Sequence, residues 1–222
     1  MRKLLKKYIC YMLCYKIIMN NHFMSNLFNT NANATRTTNN VNMNMNMNNN
    51  YSNQNYTLEC DNLINNQINM YLYASYAYLV MSTYFSQNEI SMLGLSSLFK
   101  ELSTNTKNLS ILLINYQQKN SKSIKFSNID VINTTSWTPQ TALKNTIDFE
   151  ISINTSLQKL YNTSNKINNN TLSNFIQTNL INLQLNIIRQ LNMLFTQLKL
   201  CNQGNGLYIF DQNLLKKYQK NA

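Results

Sequence analysis

Between Asp61 and Glu89 the chain carries no charged residue, and this gap constrains the fold more than any other feature. The segment NLINNQINMYLYASYAYLVMSTYF (62–85) has apolar residues at helical spacing: Ile64, Ile68, Leu72, Leu79 and Phe85. Tyr71, Tyr73, Tyr76 and Tyr78 are interleaved with them. A helix apolar over more than half its surface must be buried among other helices. Its densest part, Met70 to Met81, is only twelve residues long, too short to span a bilayer.

The remainder supports the same class. Only three glycines and one proline occur in 222 residues, which disfavours a β fold with its many tight turns. Four long helices and a short fifth are expected. The first covers 57–86 and ends at the turn Gln87–Ser91. The second covers 92–120, with Leu95, Leu98, Leu102, Leu109, Leu112 and Tyr116 on one stripe. A connection, 121–136, carries Ile124, Phe126 and Ile129 and is long enough to run from one end of a bundle to the other. The third helix covers 138–166, with Pro139 in its first turn, where proline is tolerated, and Leu143, Ile147, Ile153, Leu157 and Leu160 inside. The fourth covers 171–201, with Leu172, Phe175, Leu180, Leu183, Ile187, Leu191, Leu194 and Leu198 inside. Gly204 and Gly206 are expected to break the chain before a last helix over 207–218. Short loops make antiparallel neighbours, and the long connection joins parallel helices.

Residues 1–52 read as a separate extension to a helical domain over 53–222. The first nineteen, MRKLLKKYICYMLCYKIIM, are basic and apolar, and their uninterrupted apolar part, Tyr8 to Tyr15, is too short for a membrane span. No acid precedes Glu59, while Arg2, Lys3, Lys6, Lys7, Lys16 and Arg36 do. That pattern suits a mitochondrial-type transit segment, with a secretory signal as the competing reading and an extension without a targeting role as the third. The expected location is mitochondrial or cytoplasmic. The stretch 20–55 is dominated by asparagine, of which the chain has 43, and cannot bury enough apolar surface to offset its ordering entropy.

Composition excludes several functions. The net charge of +11 falls to +5 over residues 59–222, with thirteen bases against all eight acids. No clustered basic face or nucleic-acid motif accompanies it, so a nucleic-acid partner is not expected. Cys10, Cys14, Cys60 and Cys201, with His22 as the single histidine, make no zinc pattern and read as free thiols. A buried two-metal site needs several carboxylates, usually with histidine, converging from facing helices. The inner stripes offer Tyr71 and Tyr78 on the first helix, Asn105, Thr106 and Leu109 on the second, Glu150 in step with Ile147 and Leu157 on the third, and Gln184 one turn from Leu180 and Ile187 on the fourth. That is one carboxylate, two amides, one aliphatic hydroxyl and two phenols.

Several segments, in order, resemble ferritin subunits. They are Gln54-Asn55-Tyr56; the long segment NNQINMYLYASYAYLVMSTYF; Phe99-Lys100-Glu101 followed by Tyr116-Gln117; Ile129 and Trp137; Phe149-Glu150 followed by Ile153-Asn154-Thr155-Ser156-Leu157; Phe175-Ile176-Gln177-Thr178; and Gly206-Leu207-Tyr208-Ile209-Phe210-Asp211. Together they cover roughly 53–212 almost without gaps. The resemblance implies an all-α, ferritin-like four-helix bundle with a long crossover between helices two and three and a short fifth helix.

The resemblance also implies where iron chemistry would sit. Ferroxidase-type ferritins would have glutamate at the places of Tyr71, Asn105 and Thr106, and histidine at Leu109, while Tyr78, Glu150 and Gln184 match the family. The candidate metal residues are therefore Glu150, Gln184 and Tyr78, remnants of a di-iron site, with weak or indirect iron binding. For Glu150 the competing reading is a carboxylate hydrogen-bonded to Tyr71 or Tyr78, since an unpaired buried carboxylate is costly. Asn174 and Gln177 stand where the family's channel acids would be, and of the nucleating cluster around Glu101, Asn105 and Asn108 only Glu101 is acidic. The expectation is a ferroxidase-deficient, light-chain-like storage subunit, in a homo- or hetero-oligomer with ferritin-type subunits. The alternative is a structural ferritin-fold protein without iron.

Overall fold

The computed structural model describes residues 57–219 except 133, 135, 136, 202 and 203. The expectations for the N-terminal extension, including Cys10, Cys14 and His22, lie outside the described residues. Among the described residues there are helices and loops and no strand. The helices are α1 (Leu58–Phe85), α2 (Leu93–Lys119), α3 (Pro139–Lys166), α4 (Asn170–Ile176), α5 (Asn182–Leu200) and α6 (Asn205–Gln219). A π-helical turn, Gln177–Ile181, joins α4 to α5, so these two form the expected fourth long helix.

Local chemistry sets the starts. Thr57 caps α1 by accepting from the Cys60 N–H, and Glu59 and Asp61 place negative charge in the first turn, where the helix dipole favours it. Thr138 and Thr141 form a reciprocal capping box at α3, with Pro139 in the first turn. Helix α2 begins differently. Met92 gives no side-chain cap. The cap comes from α6 instead: the buried Asp211 carboxylate accepts from Gly94 N–H (3.0 Å) and Leu95 N–H (2.9 Å). Only glycine permits this approach, because a Cβ on residue 94 would overlap the Asp211 carbonyl oxygen.

Helices α1 and α2 pack antiparallel through serines that let the backbones come close. Ser75 Oγ donates to the Ser103 carbonyl (2.9 Å), Ser103 Oγ donates back to the Ser75 carbonyl (2.8 Å), and Ser82 Oγ donates to the Ser96 carbonyl (2.9 Å). Helix α3 also runs antiparallel to α1, with Thr146 Oγ1 beside Met81 Sδ (3.7 Å) and Tyr78 beside Glu150. Thus α2 and α3 are parallel, as the long connection requires. Two asparagines of α1 clamp that connection. Asn65 Oδ1 accepts from Lys125 N–H (2.9 Å), Asn69 Oδ1 accepts from Ser127 N–H (2.9 Å), and Asn69 Nδ2 donates to the Lys125 carbonyl (2.7 Å).

The expected core of α3 is buried throughout: Leu143, Ile147, Ile153, Leu157 and Leu160. Elsewhere several expectations need correction. Tyr76 and Leu79 of α1 are exposed. On α2, Leu102, Leu109 and Leu112 are only half-buried. The inner stripe there is Phe99, Ser103, Thr106, Ser110, Leu113 and Gln117, because close packing against α1 selects small polar side chains over leucine. On α5, Leu183 is exposed. Gln184, Leu191 and Leu198 are buried as expected, while Ile187 and Leu194 are only half-buried. Finally, the fourth helix ends at Leu200 with Cys201 as its cap, Gly204 takes φ +85° just before α6, and Gly206 lies inside α6.

Candidate metal centre

Three helices deliver the centre. Tyr78 comes from α1, Glu150 from α3 and Gln184 from α5, each no more than 2% exposed. The Tyr78 hydroxyl donates to Glu150 Oε1 (2.6 Å). Gln184 Nε2 donates to Glu150 Oε2 and to the Glu150 carbonyl (3.1 Å). The three sequence-named candidates therefore meet, and they meet by bonding one another. Both carboxylate oxygens already accept a hydrogen bond.

The electrostatics follow from burial. Desolvation raises the Glu150 pKa, and the bonds from Tyr78 and Gln184 oppose that rise. Burial also pushes the Tyr78 phenol well above its ordinary value, and the adjacent Glu150 pushes it further. Tyr71 lies beside the same centre. Burial raises its pKa first, repulsion from Glu150 adds to that, and the neighbouring Gln67 amide pulls the other way.

The other named positions differ in burial. Thr106 is buried on α2, but Asn105 on the preceding position is exposed and Leu109 is half-buried. Asn174 and Asn108 are exposed, and Gln177 and Glu101 are half-buried. Among the described residues no group of three or more His, Cys, Asp or Glu side chains is placed to hold a metal ion. Ferrous ions prefer several hard oxygen ligands with imidazole, and this donor set supplies one carboxylate with both oxygens engaged. The residues present do not fit a two-iron site.

Sequence reasoning missed Gln67. It is fully buried, and neither its amide nitrogen nor its amide oxygen has a hydrogen bond of ordinary length and angle, a condition shared by the Tyr71 hydroxyl. The signal was its spacing, one helical turn before Tyr71. Asp211 was also missed, because a cap supplied from 117 positions away leaves no local trace.

A family model described as the ferritin-like domain matches residues 61–201. The ferritin heavy chain of Echinococcus granulosus is 34% identical over 168 residues, covering 75% of this chain and 97% of that protein. The chain belongs to the ferritin family. A ferritin of Pacifastacus leniusculus is 33% identical over 166 residues, covering 74% of this chain and 91% of its own. The soma ferritin of Lymnaea stagnalis is 32% identical over 163 residues, covering 73% and 94%. Ferritins are iron-binding proteins that form oligomeric cages, and the bundle here is a ferritin bundle in order and length. No helix among the described residues is long and apolar enough to cross a membrane.

Proposed function

We propose that this chain is an iron-storage subunit that contributes cage wall and does not itself oxidise Fe(II). The observation that carries this reading is the closed Tyr78–Glu150–Gln184 clasp, in which the single carboxylate of the centre is engaged by protein partners. In it Glu150, Gln184 and Tyr78 hold helices together and bind iron weakly or indirectly. Oxidation then comes from active heavy-type subunits in a mixed cage, as in a light-chain role within intracellular iron sequestration. A mitochondrial or cytoplasmic location suits that role. The surface for assembly includes Tyr76 and Leu79 of α1 with Phe126 and Ile129 of the crossover, all exposed and apolar. Exposed apolar surface of this kind marks a protein–protein contact.

The test adds ferrous iron and O2 to purified protein and follows ferric absorbance. No acceleration over buffer is expected, and a rapid rise sinks the reading. Co-expression with an active heavy-type ferritin should give mixed, iron-loaded cages. Cages that exclude this chain, or a chain recovered free of iron, would leave a structural ferritin-fold protein instead. Replacing Tyr71, Asn105 and Thr106 by glutamate and Leu109 by histidine together should bring some oxidation.

A further inference from the structure

One turn apart on α1, Gln67 and Tyr71 carry three polar atoms without a hydrogen bond of ordinary length and angle: Nε2 and Oε1 of Gln67, and the Tyr71 hydroxyl, although the Gln67 amide lies near enough to that hydroxyl to lower its pKa. Both side chains are sealed from solvent, at 0% and 1% exposure. What stands level with them follows from register. The Ser75–Ser103 and Ser82–Ser96 pairs and the Gln117–Asp61 bond set α1 against α2. That register puts Gln67 level with Ser110 and Tyr71 level with Thr106, both buried and polar. The Tyr78–Glu150 and Met81–Thr146 contacts set α1 against α3 and put Leu157 and Leu160 on the third side. The neighbours at this level are thus polar on two helices and aliphatic on the third. Ser110 Oγ donates to the Lys107 carbonyl (2.7 Å) and keeps lone pairs free to accept.

A buried group left unpaired costs about 1–3 kcal/mol. In native proteins buried polar atoms beyond the reach of other protein groups are bonded to ordered water or an ion.

We propose that the level of Gln67 and Tyr71 between α1 and α2 is a water site, with at least one ordered molecule bridging the Gln67 amide and the Tyr71 hydroxyl. A cation is disfavoured by the donor set. The amide N–H needs an acceptor, which a cation is not, and the one carboxylate nearby has both oxygens bonded to Tyr78 and Gln184. Water meets all three needs, since it accepts from Nε2 and donates to Oε1 or to the phenol oxygen. The inference extends beyond the storage role and does not depend on the outcome of the oxidation assay.

Crystals of the full chain decide it, grown once with a chelator and once with ferrous or zinc salt, with data collected at the iron and zinc absorption edges. A peak within about 3.2 Å of the Gln67 amide and the Tyr71 hydroxyl is expected in both, with no anomalous signal. It should vanish in Gln67→Leu and in Tyr71→Phe. A dry site in which Gln67 bonds Tyr71 directly overturns the proposal, and so does an anomalous scatterer there. If a variant fails to fold, the wild-type crystals alone still distinguish a water peak from a dry site or a metal.

Discussion

Glu150 shows how one residue can be a ligand by family position and a structural anchor by bonding. Its carboxylate sits 2% exposed with Tyr78 on one oxygen and Gln184 on the other. Removing it should be strongly destabilising, because two buried donors then lose their acceptor. Glu150→Ala is expected to cost about 2–4 kcal/mol in urea denaturation at neutral pH. Glu150→Gln keeps the shape and an acceptor, and it should separate charge from packing. The folded-state pKa of Glu150 is raised by burial above the unfolded value. Its stabilising contribution is therefore full below the ordinary glutamate range. That contribution is lost as pH rises through the folded-state value, because the unfolded chain releases the proton first. Wild-type stability should fall over that window, while Glu150→Gln, which has no proton to release there, should stay flat across it. A series of denaturation curves between acid and neutral pH checks this. Parallel pH profiles for wild type and variant would show that Glu150 is not the titrating group. Helical spacing put Tyr78, Glu150 and Gln184 on inner faces with several other residues, and the family resemblance singled these three out. Their mutual saturation was not legible, because spacing gives direction and not distance.

Among the elements, the crossover and α6 are each held by a few specific side chains. Asn65 and Asn69 bond the backbone of 125 and 127 as a neighbouring strand would, although the partner is a helix. Asn69→Ala removes the bonds to Ser127 N–H and to the Lys125 carbonyl. It should cost about 1–2 kcal/mol and speed hydrogen exchange at Ser127 while leaving α1 protected. Unchanged exchange at Ser127 would mean that something else holds the crossover. At the other end, Gly94→Ala cannot be absorbed by side-chain motion, since the clash is with the Asp211 backbone. A loss of about 2–4 kcal/mol is expected, with α6 more easily cleaved by protease than in wild type. Asp211→Asn keeps one acceptor oxygen and should cost less, about 1–2 kcal/mol. Helix number, order and the long connection followed from apolar spacing and from glycine and proline use. The asparagine clamp was hidden because asparagine is abundant along the whole chain, so Asn65 and Asn69 do not stand out. The π turn at Gln177–Ile181 was hidden too, since QTNLI carries no residue that forbids an α-helix.

For the whole molecule, the same uncharged segment that predicts burial also leaves part of itself uncovered. Tyr76 (36%) and Leu79 (49%) of α1 are exposed, as are Phe126 (66%) and Ile129 (42%) of the crossover that α1 clamps. The lack of charge on α1 calls for cover over most of its surface. A single chain covers only part of that surface and leaves these residues open. Exposed apolar surface of this kind does little for the stability of the isolated fold, because it stays wet when the chain folds. It stabilises only when a second chain dries it. That separates two measurements that would otherwise move together. Leu79→Glu should leave thermal unfolding of the dissociated chain within about 0.5 kcal/mol of wild type, since the substituted side chain remains in water. The same substitution should sharply reduce assembly, because burying an unpaired carboxylate at an apolar contact is prohibitive. Size-exclusion chromatography with light scattering would then show a shift from cage mass to dimer or monomer, while the circular dichroism spectrum stays helical. A variant that still reaches cage mass would place the assembly surface elsewhere, whereas one that unfolds would show that Leu79 is covered within its own chain.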